Sequence, residues 1–202
     1  MAIVKTEILK IKGNWEDVVD DCRSTVSKPP LGKSPSKKFK KDILIAEHGP
    51  IRSISIRWVW KGIKSWVATH FSRHKWECFI STQRTDRTGV NRDDAPQSSP
   101  VIFKGDANVQ AYIDTSRKRL CFMASSETRQ QWEDLKVELH PIEPEISEVG
   151  VPNCVYRNGC PELNGGCGFW EKFLERHPEI TVNTSIQERY DIYNKEFYEH
   201  HK

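Results

Sequence analysis

The chain is 202 residues long, 37% hydrophobic and 29% charged, with a formal net charge of +3. That length suits one domain with a sizeable core. Seven Trp, eight Phe and five Tyr exclude a wholly disordered chain, because each large ring offers buriable surface. So small a net charge does not imply general nucleic-acid binding, and any such reading must rest on a local cluster.

Residues 2–11 (AIVKTEILKI) predict a first strand. MAIVKTEILKIK lacks the apolar core of a signal peptide. No stretch approaches the roughly 20 apolar residues that span a bilayer, so no membrane partner is expected. Asn14 suits the cap of a helix from Trp15 to Val26, with acids in its early turns. SKPPLGKSPSKKFKK reads as a solvated basic loop or a flap. Residues 51–60 (IRSISIRWVW) alternate, with Ile54, Ile56, Trp58 and Trp60 on one face, which predicts a half-buried strand ended by Lys61-Gly62. Residues 63–74 (IKSWVATHFSRH) place Trp66, Val67, His70 and His74 at helical spacing. The polar run from Arg84 to Pro100 predicts a long loop. Helical patterns follow over Asp106 to Met123, from Ser126 through SETRQQWEDLKVEL, near Pro144 to Val149, over Phe169 to Arg176 and over Ser185 to His200. The sum is an α+β domain without internal repeats, mostly helical in its second half.

Two clusters carry chemistry. WVATHFSRHKWECFISTQRTDR crowds His70, Arg73, His74, Lys75, Arg84 and Arg87 among aromatics. His70 and His74 could share a metal, but HFSRH lacks the Glu of a zinc-protease helix and Arg73 repels a dication. The same cations suit a solvated helix face, a nucleic-acid groove or a pocket for a phosphorylated small molecule. The second cluster is Cys154, Cys160 and Cys167 in VPNCVYRNGCPELNGGCGFW, spaced more loosely than the paired thiols of common zinc sites. Zinc with Cys121 or a His as fourth ligand, buried free thiols, and redox or nucleophilic chemistry all remain open. Cys22, Cys78 and Cys121 are scattered, so the cysteines do not read as a disulfide framework. A reducing, cytoplasmic compartment is expected.

Several residues, in order along the chain, resemble the flavin-dependent thymidylate synthases. They are Glu47-His48, the strand at 51–60, a helix ending in Arg73-His74-Lys75, then Ser81 and Arg84, and Glu145 before Val151-Pro152. The tail FWEKFLER…SIQERYDIYNKEF resembles the family's last two helices. The resemblance spans nearly the whole chain, 1–202 as one domain, with residues 150–168 as a Cys-rich inserted loop. It implies the thymidylate synthase-complementing-protein-like fold, a central mixed or antiparallel sheet with helices, assembled as a homotetramer. It also implies FAD as cofactor, NADPH and methylenetetrahydrofolate as cosubstrates, and one-carbon transfer to the uracil C5 of a deoxyuridine nucleotide without an enzyme nucleophile.

By position, His48, Arg73, His74 and Lys75 would line the flavin site, and Ser81, Gln83, Arg84 and Arg87 the nucleotide loop. Arg157 would take the uracil-activating role, with His48 and Glu145 as further catalytic positions. Cations there would favour a diphosphate and negative charge developing on flavin or uracil. The chain also departs from the family. Arg-His-Lys replaces Arg-His-Arg, which loses a planar fork, and the stretch WECFI before Ser81 is short. Glu148 and Gly168 stand where the family has arginines. These departures support an alternative, an inactive relative that binds a nucleotide or nucleic acid.

Overall fold

The computed structural model describes residues 4–201. Four strands form one sheet: β1 (Lys5–Lys12), β2 (Ser55–Lys64), β3 (Glu77–Ile80) and β4 (Pro100–Asn108). Their order is β1-β2-β4-β3, and every pairing among the described residues is antiparallel, which resolves the mixed-or-antiparallel expectation. Residues 2 and 3 of the expected first strand lie outside the described residues; the strand forms from Lys5 to Lys12 and pairs with β2 through a register shift between Ile8 and Lys10.

β2 starts later and runs longer than its pattern predicts. Gly49–Ser53 form a 3-10 turn, helped by Pro50, whose ring presets a helical φ. Lys61-Gly62 does not end the strand. Pairing to β4 passes through a bulge there, Lys61 opposite Ile102 and Ile63 opposite Val101. β4 begins at Pro100, the last residue of the expected loop, crosses residues 101–105, for which the pattern predicts no element, and takes in Asp106 to Asn108, where a helix is expected. Its inward residues are Val101, Phe103, Gly105 and Ala107, two of them too small to register as an apolar pattern. Gly105 is required there, because a Cβ would lie 2.2 Å from the Trp58 ring. The helix that follows begins only at Val109, where the Asn108 side chain accepts from the Ala111 N–H at 2.9 Å.

The helices are α1 (Trp15–Ser24), α2 (Lys37–Ile45), α3 (Ser65–Phe71), α4 (Thr85–Thr88), α5 (Val109–Arg119), α6 (Ser126–Leu139), α7 (Pro144–Glu148), α8 (Asn153–Arg157), α9 (Phe169–Arg176) and α10 (Ile186–His200). Asn14 caps α1 through the Asp17 N–H at 2.8 Å. The end of the expected basic loop folds as α2, because Ser36 caps it and Ile43 and Leu44 bury against the core. α8 forms inside the expected Cys-rich loop. α3 stops at Phe71, so His70 and His74 do not share a helix.

Trp58, Trp60, Phe71, Phe103, Tyr112 and Trp132 are buried together between the sheet, α3, α5 and α6. Trp60 meets Phe71 at 4.6 Å and Trp58 meets Trp132 edge-on at 5.8 Å, pairs that each add about 0.5–1.5 kcal/mol beyond burial. Trp58 and Trp60 therefore fill this chain's own core. Trp76 extends the cluster, 5.0 Å from Trp58. No helix of the described residues is long and apolar enough to cross a membrane.

Candidate anion-binding cleft

A cleft of about 540 Å³ opens between α5, α8, the turn after α3 and the 3-10 turn at 49–53. α5 builds one wall by periodicity. Val109, Tyr112 and Ile113 enter the core, while Gln110, Asp114, Arg117 and Lys118 line the cleft. Arg117 is held firmly. It donates to the Glu47 carboxylate, lies 3.6 Å from Asp114, and stacks 3.7 Å over the Tyr156 ring. Its Nε is buried without a partner. Glu47 also accepts from Gln110 at 2.6 Å.

Arg73 and Lys75 enter from the turn after α3, Arg52 from the 3-10 turn and Arg157 from the end of α8. Arg157 Nε donates to Asn153 Oδ1 at 3.2 Å. Six cations (Arg52, Arg73, Lys75, Arg117, Lys118 and Arg157) thus face a cleft whose one lining carboxylate is Asp114. Among the described residues, only Arg117 of this set has an ion-pair partner. Unpaired like charges around a concave space favour an anionic ligand.

His74 lines the same cleft but is uncharged. Arg119 Nε donates to its Nε2 at 2.7 Å, which assigns the ring proton to Nδ1, 3.4 Å from Thr115 Oγ1. Burial first, then the charges of Arg119 and Lys118, lower its pKa to about 4. With both nitrogens engaged it positions neighbours rather than moves protons. Trp76 donates to the same Thr115 hydroxyl at 3.2 Å. His70 turns instead to Thr128 Oγ1 at 3.2 Å, so the two imidazoles bond to different helices.

Of the residues singled out by resemblance, Arg73, His74, Lys75 and Arg157 come together here. His48 is exposed at the start of the 3-10 turn and lies outside the lining. Glu145 is buried on α7, 4.0 Å from Lys40. Ser81 Oγ accepts from the Ile102 N–H at 2.9 Å, and Gln83 accepts from Arg92 at 2.7 Å. Arg84 makes two bonds to Asp86, with Arg87 3.8 Å from the same carboxylate. None of these four lines the cleft. Glu148 pairs with Lys41 at 3.1 Å and also lies outside, so its charge does not oppose a phosphate there. Arg52, Arg117, Lys118 and Tyr156 were not singled out. The one sequence signal for part of this set is the polar face Gln110, Asp114, Arg117, Lys118, opposite the apolar residues of α5.

A second hollow of about 230 Å³ shares Arg117, Lys118 and Asn153 with the cleft and is lined by Cys121, Cys154, Cys160 and Cys167. Burial pushes the Cys154 thiol up to about 12, and the nearby Cys121, Cys160 and Cys167 act in the same direction. So protonated a thiol is a poor nucleophile. All six cysteines are free. As they stand, no three His, Cys, Asp or Glu side chains among the described residues are arranged to hold a metal ion.

No family model and no curated protein matches the chain. Among solved structures, a UMP/dUMP methylase, PolB from Streptomyces cacaoi, bound with 5-Br dUMP, aligns with a TM-score of 0.58 at 11% identity. The alignment covers 74% of this chain and 95% of that one. The same methylase bound with 5-Br UMP aligns at 0.54 and 12% identity, covering 74% and 94%. The chain shares that fold.

Proposed function

We propose that the chain is a flavin-dependent enzyme of the thymidylate synthase type, acting on a deoxyuridine nucleotide held in the cationic cleft. The one-carbon unit would come from methylenetetrahydrofolate and go to uracil C5. The observation that carries this reading is the convergence of Arg52, Arg73, Lys75, Arg117, Lys118 and Arg157 on one cleft. The shared fold of a methylase crystallised with uracil nucleotides supports it.

The donor set fits phosphate. Arginine forks take two oxygens at once, lysines act as point charges, and the unpartnered Arg117 Nε is a buried donor beside the cleft. It fits FAD for the same reason, with Trp76 and Tyr156 offering aromatic surface to a planar ring. The hydride that takes the one-carbon unit to the methyl level would be supplied by bound FAD, reduced by NADPH. Glu47 keeps Arg117 in place, and Arg119 keeps His74 neutral and oriented. Arg157 is exposed and bonded only to Asn153, so its guanidinium can stabilise charge growing on the pyrimidine. In a homotetramer, His48 and the Ser81–Arg87 segment would serve a neighbouring subunit's cleft.

A second reading, nucleotide or nucleic-acid binding without turnover, rests on the sequence departures, Glu148 and Gly168 standing where the family has arginines. Incubation with FAD, NADPH, methylenetetrahydrofolate and C5-tritiated dUMP separates the two. Release of tritium, with flavin absorbance retained through gel filtration, supports the enzyme. Nucleotide binding without release supports the second reading. A colourless protein that binds neither FAD nor dUMP overturns both.

A further inference from the structure

We propose that Cys121, Cys154, Cys160 and Cys167 form a tetrathiolate zinc site that pins residues 159–168 against the ends of α5 and α8. This does not depend on the nucleotide reading. Four of the six cysteines line one hollow, although Cys121 and Cys167 come from opposite ends of a long stretch of chain; Cys22 and Cys78 lie outside it. Soft thiolates in fourfold number suit zinc, which takes tetrahedral sulfur coordination without redox change.

The chain around the thiols is shaped for tight folding. Asn158, Gly165, Gly166 and Gly168 all adopt positive φ (55°, 86°, 68° and 73°). A Cβ on Gly166 would stand 2.5 Å from Cys160 Sγ, so only glycine admits that thiol. No residue from 159 to 168 is buried, and Leu163 is 99% exposed. Apart from Cys160, which is partly buried against the core, apolar packing does little to hold this segment, and a metal would tie it down, as in small metal-folded units. The thiols are not yet at ligating positions. Closure needs rotation of the cysteines and a shift of 159–168, which its glycines permit.

Charge favours the same assignment. Four thiols release four protons on binding one Zn²⁺, leaving a net charge of two minus. Arg117, Lys118 and Arg119 line the same hollow, against the one carboxylate of Glu162, and offset it.

Elemental analysis of the whole chain, purified without chelator, is expected to give one zinc per chain. Cobalt exchange should produce the visible bands of tetrahedral cobalt thiolate. Cys121→Ser should lower zinc affinity at least tenfold in competition with a chelator, while Cys78→Ser leaves it unchanged. Since Cys121→Ser could fail to fold, thiol titration of the unaltered native chain is the second measurement: chelation should raise the number of reactive thiols by four. Zinc-free protein with all four thiols reactive at once, sulfurs joined in disulfides, or iron with sulfide in place of zinc overturns the proposal.

Discussion

His74 shows how one residue can sit in a cationic cleft and carry no charge of its own. Burial, Arg119 and Lys118 hold its pKa near about 4, below the ordinary 6.5, so the folded chain favours the neutral ring. Its contribution to stability is complete above the ordinary pKa and is lost as pH falls through the folded one. Denaturant midpoints should therefore drop between neutral pH and about 4, and His74→Gln should flatten that slope. An unchanged slope in the variant would show that other groups carry it. Lys136, fully buried and bonded to Ser147 O and Asn194 Oδ1, also has a pKa lowered by burial, but His74→Gln leaves its contribution untouched. At this scale Arg73, His74 and Lys75 are legible in the sequence, because they stand in a dense motif, whereas Arg157 is reached only through the family resemblance. Arg117 and Lys118 are not legible, since the end of a helix commonly carries cations that do nothing beyond favouring its dipole.

Among the elements, β4 separates what a pattern reveals from what it hides. β2 is legible because Ile56, Trp58 and Trp60 are large and alternate. β4 pairs with it along its whole length, yet places Gly105 opposite Trp58, and the indole occupies the space a side chain would take. Gly105→Ala should cost about 1–3 kcal/mol through overpacking, read as a lowered thermal midpoint with the fold retained. A variant as stable as the parent would mean that Trp58 has room to move. α2 was hidden for a different reason. Its lysines suggest solvent, but Lys40 lays its ammonium 4.8 Å over the Trp15 ring while Ile43 and Leu44 enter the core.

For the molecule as a whole, a net charge of +3 understates the field at the cleft, where six cations face Asp114. Affinity for dUMP should fall several-fold between about 0.05 M and about 0.5 M salt, because the screening length shrinks below the size of the cleft. Binding that ignores salt would point to apolar contacts instead. By itself the sequence determined the features that depend on near neighbours: the cap at Asn14, the helices α6, α7, α9 and α10, and the buried face of β2. Only the tertiary structure decided the sheet order, the ion pair of Glu47 with Arg117, and the gathering of Cys121 with Cys154, Cys160 and Cys167. Local periodicity records which face of an element is apolar. Which faces meet is set by packing between distant segments, and no spacing within one segment encodes it.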